Sequence, residues 1–301
     1  MDMFRVAVFT VSVIAVYVMA PAILVRWFRS RGGEHLLGRK LDLFVIALAV
    51  IGVGCAIDAV REPYKPEVTR VEVRLAKMSP GARVRIVQIS DVHSGERARL
   101  EERLPDIIAA EHPDVIAFTG DAVNGPQGIP VFRKLMTRLT AIAPVYAIRG
   151  NWDVDPRHRG VFDATGVRVL EGNAVMLEIR GQRLAFIGDR YHGAVANRKM
   201  KALSDLDPDT PSIVLVHSPD LIDEAPTAGL VLAGHTHGGQ IRMPLYGALI
   251  TLSRYGKKYE AGLYKVNDTW MYVSRGIGME LNAPVRFLCR PEVVVIDIAG
   301  K

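Results

Sequence analysis

Cysteine is scarce in this sequence, which has only Cys55 and Cys289 among its 301 residues. Two thiols cannot build a disulfide framework, so we expect both to be unpaired. A strong excess of charge is also lacking. The formal net charge is +6, and the first 66 residues account for half of it with eight basic and five acidic side chains. So mild a charge, without a platform of aromatic and basic residues, argues against a nucleic-acid partner.

A long uncharged stretch is present near the N-terminus. About twenty residues from Val6 to Val25 carry no charge and lie between Arg5 and Arg26, which is the length that a helix needs to cross a bilayer. A cleavable signal peptide is the alternative. Its apolar region would be too long, and the bulky neighbours of Pro21 offer no small-residue cleavage pattern. The stretch therefore predicts a membrane anchor.

A second apolar run at 43–57 is shorter, at about fifteen residues, and suits a second membrane helix if its flanks extend it. We predict an anchor over 1–62, folded as a transmembrane helical hairpin with helices at about 5–27 and 41–60.

The segment between the two runs is basic. It holds one acidic residue, Glu34, against Arg26, Arg29, Arg31, Arg39 and Lys40. Basic connecting loops stay on the cytoplasmic side of a membrane. This bias predicts that everything after residue 60 lies on the outer side.

A linker and first-strand region at 63–82 leads into a domain at 83–301, in which apolar runs alternate with helical patterns. The predicted strands lie at 83–90, 114–120, 144–150, 212–217 and 230–235, and the predicted helices at 100–110, 131–142 and 219–225. A hairpin at 174–188 and a meander of strands at 262–298 complete the pattern. No internal repeat or low-complexity tract interrupts it. The alternation predicts an α/β domain with parallel strands joined by crossovers.

Polar signatures stand at the ends of five predicted strands. In chain order they read SDVH, TGD, RGNWD, VHSP and GHTH. The carboxyl ends of strands in an open α/β sheet converge on one crevice, where ligands bind. The five signatures therefore predict one shared site.

The residue types in these signatures are metal ligands. Asp91 and His93 are two residues apart, so strand alternation should put both side chains on one side, and His235 and His237 repeat that spacing. The other oxygen and nitrogen donors are Asp121, Asn151 and His217. Carboxylates, an amide and imidazoles without a thiolate suit Mn²⁺, Fe²⁺ or Zn²⁺. Seven ligands are too many for one ion, which favours two ions about 3.5–4 Å apart.

The order of these blocks resembles the calcineurin-like metallophosphoesterase superfamily, whose pattern is D-x-H, G-D, G-N-x-[DE], H and G-H-x-H. The resemblance covers residues 84–298. The further stretches GHTHGGQIRMP and PVRFLCRPE resemble the subgroup of bacterial membrane-associated or exported phosphodiesterases that includes UDP-2,3-diacylglucosamine hydrolase-like enzymes. The resemblance implies a four-layer α/β/β/α sandwich and two divalent metal ions, with Mn²⁺ as the first expectation and Fe²⁺ or Zn²⁺ as alternatives.

The resemblance also implies how the ligands divide between the two ions. One ion would be held by Asp91, His93, Asp121 and His237, and the other by Asp121, Asn151, His217 and His235. The catalytic roles would fall to Asp91, Asp121, Asn151 and His235.

One position departs from the family pattern. Many members place a histidine after the asparagine of the G-N block, where it contacts phosphate, and this sequence has Trp152 there. Help for the leaving group would then come from His192, His158 or Arg149, or the leaving group would have a low pKa. We expect Asp153 to orient histidines or backbone groups rather than to bind metal.

Other charged residues have ordinary explanations. Arg275 and Arg286 are more often surface or structural charges than substrate ligands, and His158 and His192 have no special spacing.

We therefore predict a dinuclear metal-dependent phosphoesterase that hydrolyses a phosphodiester or pyrophosphate bond. Its substrate would be a phosphorylated small molecule or lipid at the membrane surface, such as a lipid-linked or nucleotide-linked phosphate resembling UDP-2,3-diacylglucosamine. Its location would be the bacterial inner membrane, with the lipid bilayer as a partner and the catalytic domain outside. The alternative is a catalytically weak metal-binding membrane scaffold or sensor that retains the fold. The oligomeric state is left open.

Overall fold

The computed structural model describes residues 20–29, 39–189, 200–280 and 283–300. It separates the chain into two compact units, Met1–Val60 and Arg61–Lys301.

The N-terminal unit is helical where the structure describes it. Helix α1 spans Ala20–Arg29 and helix α2 spans Arg39–Arg61. With the short turn that follows it, α2 forms one apolar helix, Arg39–Tyr64, which is long enough to cross a membrane and buries none of its most apolar window. The predicted second membrane helix therefore corresponds to a real helix.

The predicted first membrane helix at about 5–27 falls mostly outside the described residues, and α1 covers only its end. Within the described part of the chain, a single helix has the length and composition of a membrane span. The helical hairpin stays a prediction.

The second unit is built on two six-stranded sheets. The first contains β1 (Glu67–Leu75), β2 (Arg83–Ile89), β3 (Val115–Phe118), β4 (Val145–Ala147), β5 (Arg168–Val169) and β14 (Glu292–Gly300), in the spatial order β1-β14-β2-β3-β4-β5. The second contains β6 (Ala174–Ile179), β7 (Gln182–Gly188), β8 (Ser212–Leu215), β9 (Leu230–Ala233), β12 (Gly262–Val266) and β13 (Thr269–Val273), in the order β12-β13-β9-β8-β7-β6. A small hairpin of β10 (Arg242–Met243) and β11 (Gly247–Ala248) stands apart. The adjacent strands β2 to β5 and the run β13-β9-β8-β7 are parallel, as the alternating pattern predicts.

Alternate residues of the strands build separate cores, and this produces four layers. On β2, Ile86 faces the second sheet and joins a core with Phe186 and Leu232. Its neighbour Val87 faces the other way, toward α3 (Leu104–Ala109) and α4 (Ile129–Thr140). On the far face of the second sheet, a third core includes residues of α5 (Lys201–Ser204) and of the 3₁₀ segment Pro219–Glu224. The order of layers is therefore helix, sheet, sheet, helix.

The C-terminal tail differs from the predicted meander. Strands β12 and β13 pair with each other in the second sheet, whereas β14 crosses to the first sheet and lies between β1 and β2. The reason is visible in β14 itself, which is apolar on both faces: Val293 and Val295 face the helices, while Val294 and Ile296 face the second sheet. Such a strand is buried on both sides and suits a central position. The predicted helix at 219–225 is a 3₁₀ segment, and that at 100–110 is shorter, at Leu104–Ala109.

Candidate metal centre

The loops after five parallel strands bring all seven predicted ligands to one place, where the two sheets end together. Asp91 and His93 follow β2, Asp121 follows β3, Asn151 follows β4, His217 follows β8, and His235 and His237 follow β9. Two groups with ligand atoms within 4.8 Å of one another result: Asp91 with His93 and His237, and Asp121 with His217 and His235. The convergence at the strand ends is as the sequence predicts.

The backbone at the site is unusual. The φ angles are 50° at Asp91, 46° at His93, 60° at Asp121, 69° at His235 and 50° at His237. Positive φ is uncommon outside glycine, although aspartate and histidine tolerate it better than most residues. Strand alternation is therefore the wrong reason for the shared side of Asp91 and His93. Strand β2 ends before them, and two left-handed turns aim both side chains into the crevice.

Two glycines allow the loops to approach each other. A Cβ atom on Gly150 would lie 2.2 Å from Oδ1 of Asp121, and one on Gly120 would lie 2.6 Å from Nδ1 of His217. Gly120 also has a φ of 98°. Any larger residue at either position would push a ligand out of place, so both glycines are required by close packing.

Asp121 lies between the two groups. Its Oδ2 is 3.5 Å from Nε2 of His93 and 3.3 Å from Nε2 of His217. The other links are also short: Nε2 of His217 is 2.8 Å from Oδ1 of Asn151 and 3.1 Å from Nδ1 of His235. A carboxylate that faces two sets of ligands is placed to bridge two cations.

The donor set fits metal ions on two observations. First, Nε2 of His93 and Nε2 of His237 are buried without a hydrogen-bond partner among the described residues. Unpaired buried polar atoms are costly, and a cation would satisfy them. Second, the opposite ring nitrogens of two histidines face carbonyl groups. Nδ1 of His217 is 2.8 Å from the carbonyl of Thr119, and Nε2 of His235 is 3.2 Å from that of Leu252. Such contacts fix the tautomer and turn the other ring nitrogen toward the ligand cluster.

Burial and mutual charge shift the pKa values of the ligands. Burial lowers the pKa of His93 to about 4, and burial with the charge of His217 does the same to His235. Both rings are therefore neutral at pH 7. Burial raises the pKa of Asp91 to about 7. Burial alone would lower the pKa of His217, but the charge of Asp121 and its hydrogen bond raise it to about 10. His217 in turn holds the pKa of Asp121 below its usual range. Asp91 and His217 therefore carry protons that a bound cation would displace.

Asp153 holds the loops that carry two of the ligands. Its Oδ2 accepts hydrogen bonds from the backbone nitrogens of Asp121 and Gly150, and its Oδ1 accepts one from Ala122, each 2.8 Å long. The side chain therefore contacts backbone groups and none of the histidines in these hydrogen bonds. Three backbone donors on one buried carboxylate tie the turn after β3 to the turn after β4.

Trp152 takes part in the site through both its backbone and its ring. Its backbone nitrogen donates to Oδ1 of Asp121 at 2.9 Å. Its ring meets the ring of His93 edge to face, with the centroids 5.6 Å apart. Its indole also bonds to the carboxylate of Glu280, whose pKa is raised by burial despite this bond. Trp152 therefore lines the mouth of the site beside His93.

The remaining predicted residues lie outside the ligand cluster. Arg149 pairs with Glu171 at 2.9 Å and sits over the ring of Phe162. His158 is buried, and its Nδ1 is 2.7 Å from the carbonyl of Trp152, so it contacts the loop rather than the ligands. His192 lies outside the described residues.

Three residues near the ligands were not predicted as site residues. Glu280 lies 3.9 Å from Nε2 of His237, and Asn124 donates to the carbonyl of His93. Arg286 is fully buried and donates to the carbonyls of Arg275, Gly276, Gly278 and Cys289, so it is a structural charge but not a surface one. Neither Glu280 nor Asn124 has a distinctive spacing. The stretch RFLCR, with arginine beside apolar residues, is the only sequence signal of a buried arginine.

Comparison with known proteins places these residues in a family. Residues 84–239 match the model of the calcineurin-like phosphoesterases. The metallophosphoesterase YkuE of Bacillus subtilis is 31% identical over 258 residues, which cover 79% of this chain and 87% of that protein. The chain belongs to the calcineurin-like phosphoesterase family. The predicted superfamily is thus confirmed, and the chain is a metallophosphoesterase, a hydrolase of phosphoric esters.

Two further relatives of this phosphoesterase have informative names. Phosphodiesterase YaeI of Escherichia coli is 28% identical over 228 residues, covering 71% of this chain and 82% of that protein. A transmembrane protein with metallophosphoesterase domain from Danio rerio is 29% identical over 297 residues, covering 89% of this chain and 65% of that protein. The name of the Danio rerio relative and the apolar helix Arg39–Tyr64 hint at membrane association, whereas the diacylglucosamine hydrolase-like subgroup stays a prediction.

Proposed function

We propose that this phosphoesterase uses two divalent metal ions, with Mn²⁺ as the first candidate, to hydrolyse a phosphodiester or pyrophosphate bond at a membrane surface. The observation that carries the proposal is the position of Asp121, whose Oδ2 lies within 3.5 Å of a ring nitrogen from each ligand group. One ion would be held by Asp91, His93, Asp121 and His237. The other would be held by Asp121, Asn151, His217 and His235.

The protein contributes pre-arranged ligands. Divalent cations in such a site polarise phosphoryl oxygens and lower the pKa of the attacking water. The neutral rings of His93, which is buried, and of His235, which is partly buried, present their lone pairs without reorganisation. The backbone nitrogen of His235 donates to both oxygens of Asp91 at 3.1 Å, which orients that carboxylate. Held geometry of this kind is what speeds an in-line displacement.

The leaving group meets Trp152 rather than a histidine. An indole offers no proton near neutral pH, so the side chain at this position does not act as a general acid. We infer a substrate whose leaving group has a low pKa, such as a phosphate or a nucleoside phosphate. A lipid-linked or nucleotide-linked phosphate meets that requirement, and UDP-2,3-diacylglucosamine is one example.

Three features support a substrate at the membrane surface. Helix α2 has the length of a membrane span, the Danio rerio relative is named a transmembrane protein, and the Escherichia coli relative is named a phosphodiesterase. The basic segment before α2 favours a catalytic domain on the outer side of a bacterial inner membrane. A C-terminal fusion to alkaline phosphatase, which is active only outside, tests this. Activity of a cytoplasmic reporter alone would overturn the outward orientation.

Hydrolysis itself is tested with the full-length protein in detergent, Mn²⁺ and bis-p-nitrophenyl phosphate. Asp121→Ala and His235→Ala should each abolish turnover, because each removes a ligand from the shared centre. Asp163→Ala is the matched control, since that carboxylate is 74% exposed and faces Arg133 on the surface. Wild-type activity in both ligand variants would contradict the proposal.

A second candidate function is a metal-binding scaffold or sensor with little turnover. Trp152 favours it, because the ring packs against His93 where many family members place a phosphate-contacting histidine. Turnover distinguishes the two functions. A scaffold would bind Mn²⁺ through the same ligands but would hydrolyse no phosphodiester, including substrates with a good leaving group.

A further inference from the structure

The segment 241–252, called the apolar loop below, exposes large hydrophobic side chains beside the metal centre. At its tip Leu245 has a relative exposure of 111%, and Ile250 and Leu252 are more than half exposed. The other exposed apolar residues of the loop are Ile241, Met243, Tyr246 and Leu249. Single exposed apolar residues are common on protein surfaces, but seven within twelve positions indicate an interaction site.

The apolar loop is held in shape. Arg242 donates to Oε1 of Glu260 at 2.8 Å, and the backbone nitrogen of Ala248 donates to Oε2 of the same carboxylate at 3.1 Å. Arg242 also donates to the carbonyl of Gly238, inside the segment that carries the metal ligands. Leu245 has a φ of 62°, which is rare for a bulky residue. A bulky apolar side chain kept exposed at a strained, anchored tip is positioned for contact with something apolar.

The loop is also linked to a metal ligand. The carbonyl of Leu252 lies 3.2 Å from Nε2 of His235 and directs the other ring nitrogen toward His217. The hydroxyl of Thr236 donates to the carbonyl of Glu260, the residue whose carboxylate anchors the apolar loop. The loop therefore lies at the rim of the crevice in which the phosphoester would be cleaved.

Basic side chains surround the loop. From residue 240 to residue 259 there is no acidic residue, but there are four basic ones, of which Arg242 and Arg254 are paired with carboxylates. Lys257 and Lys258 are exposed and form no ion pair with a carboxylate of the described residues. Instead, Nζ of Lys257 lies 3.4 Å from the ring centroid of Tyr246. Nζ of Lys257 also donates to the carbonyl of Tyr246, and Nζ of Lys258 lies over the rings of Tyr255 and Tyr259. The apolar tip, the tyrosine and two lysines without an acidic partner in the described part of the chain match the acyl, interfacial and phosphate layers of an anionic bilayer.

We propose that the apolar loop inserts into the surface of a bilayer that contains anionic phospholipid, with Leu245 and Ile250 in the acyl region and Lys257 and Lys258 at the phosphates. A second copy of this chain is a poorer occupant, because it would bring the same lysines together. The consequence for substrate choice rests on the proposed phosphodiesterase function: the metal centre would act on phosphoesters at the depth of the headgroups.

The contact is tested on the full-length chain in nanodiscs of phosphatidylcholine and phosphatidylglycerol. Cys55→Ser removes the one native cysteine that is not fully buried, and Leu245→Cys is labelled with the fluorophore NBD. Nitroxide-labelled lipid should quench this label at least about twofold, and the quenching should weaken when Lys257 and Lys258 are changed to Gln or when the lipid is purely phosphatidylcholine. Met176→Cys is the matched control, because Met176 is 43% exposed on β6 and should not be quenched.

Each other outcome overturns the proposal. Equal, weak quenching at both positions would show that the loop faces water. A blue-shifted label without lipid quenching would show that protein covers the loop. Fluorescence does not require turnover, so the result stands even if the phosphodiesterase proposal fails. Leu245→Glu with Ile250→Glu should leave hydrolysis of soluble bis-p-nitrophenyl phosphate within about twofold of wild type while abolishing the lipid contact.

Discussion

Replacing Asp153 by asparagine removes one hydrogen-bond acceptor that the metal centre depends on. The Asp153 carboxylate accepts three backbone hydrogen bonds, two at Oδ2 and one at Oδ1. The oxygen of an asparagine can keep the two bonds to Asp121 and Gly150, but its NH₂ group then faces the backbone N–H of Ala122. A buried donor without an acceptor costs about 1–3 kcal/mol. We expect the free energy of unfolding to fall by that amount and the thermal midpoint of unfolding to fall with it.

The same change should weaken metal binding, because Asp153 positions the turns that carry Asp121 and Asn151. Loss of such a supporting contact lowers metal affinity by about 10- to 100-fold. Isothermal titration of the full-length protein with Mn²⁺ measures this, and saturating Mn²⁺ should restore most of the activity. Asp163→Asn, at an exposed surface carboxylate, is the control. Wild-type affinity and wild-type thermal stability in Asp153→Asn would refute the reasoning.

Two further predictions concern the leaving group and the protons. In a series of aryl phosphodiesters, the rate of the wild type should fall steeply as the pKa of the leaving group rises. Trp152→His should make this dependence less steep. An unchanged slope would show that residue 152 does not face the leaving group. Mn²⁺ binding at pH 7 should release about one to two protons, because the pKa of Asp91 is about 7 and that of His217 about 10. Metal affinity should therefore rise with pH, and titrations in buffers of different ionisation enthalpy that detect no proton release would contradict the assignment.

Local sequence pattern was enough to predict that these side chains converge. An apolar run that ends in two histidines, such as 230–237, has few explanations other than a buried strand that leads to a functional crevice. Five predicted strands end in polar residues, and their ends must converge if the strands are parallel. The structure brings Asp91, Asp121, Asn151 and His217 to the same crevice as the two histidines. Hydrophobic runs and chain order were sufficient for this part.

Other features depend on contacts between distant parts of the chain. The position of β14 between β1 and β2 follows from packing on both of its faces. The local sequence pattern of β14 is equally compatible with a meander. The left-handed turns at Asp91 and His93 cannot be read from residue spacing, and strand alternation suggested the wrong cause. Glu280 reaches His237 only through the fold, and nothing in its sequence neighbours marks it.

The central claim is that one carboxylate, Asp121, joins two metal ions. Electron paramagnetic resonance of the full-length protein loaded with Mn²⁺, together with its metal content, tests this most directly. We predict two Mn²⁺ per chain and the broad multiline spectrum of an exchange-coupled pair, and we expect Asp121→Asn to lose the coupling. A single Mn²⁺ per chain with the six-line spectrum of an isolated ion would contradict it.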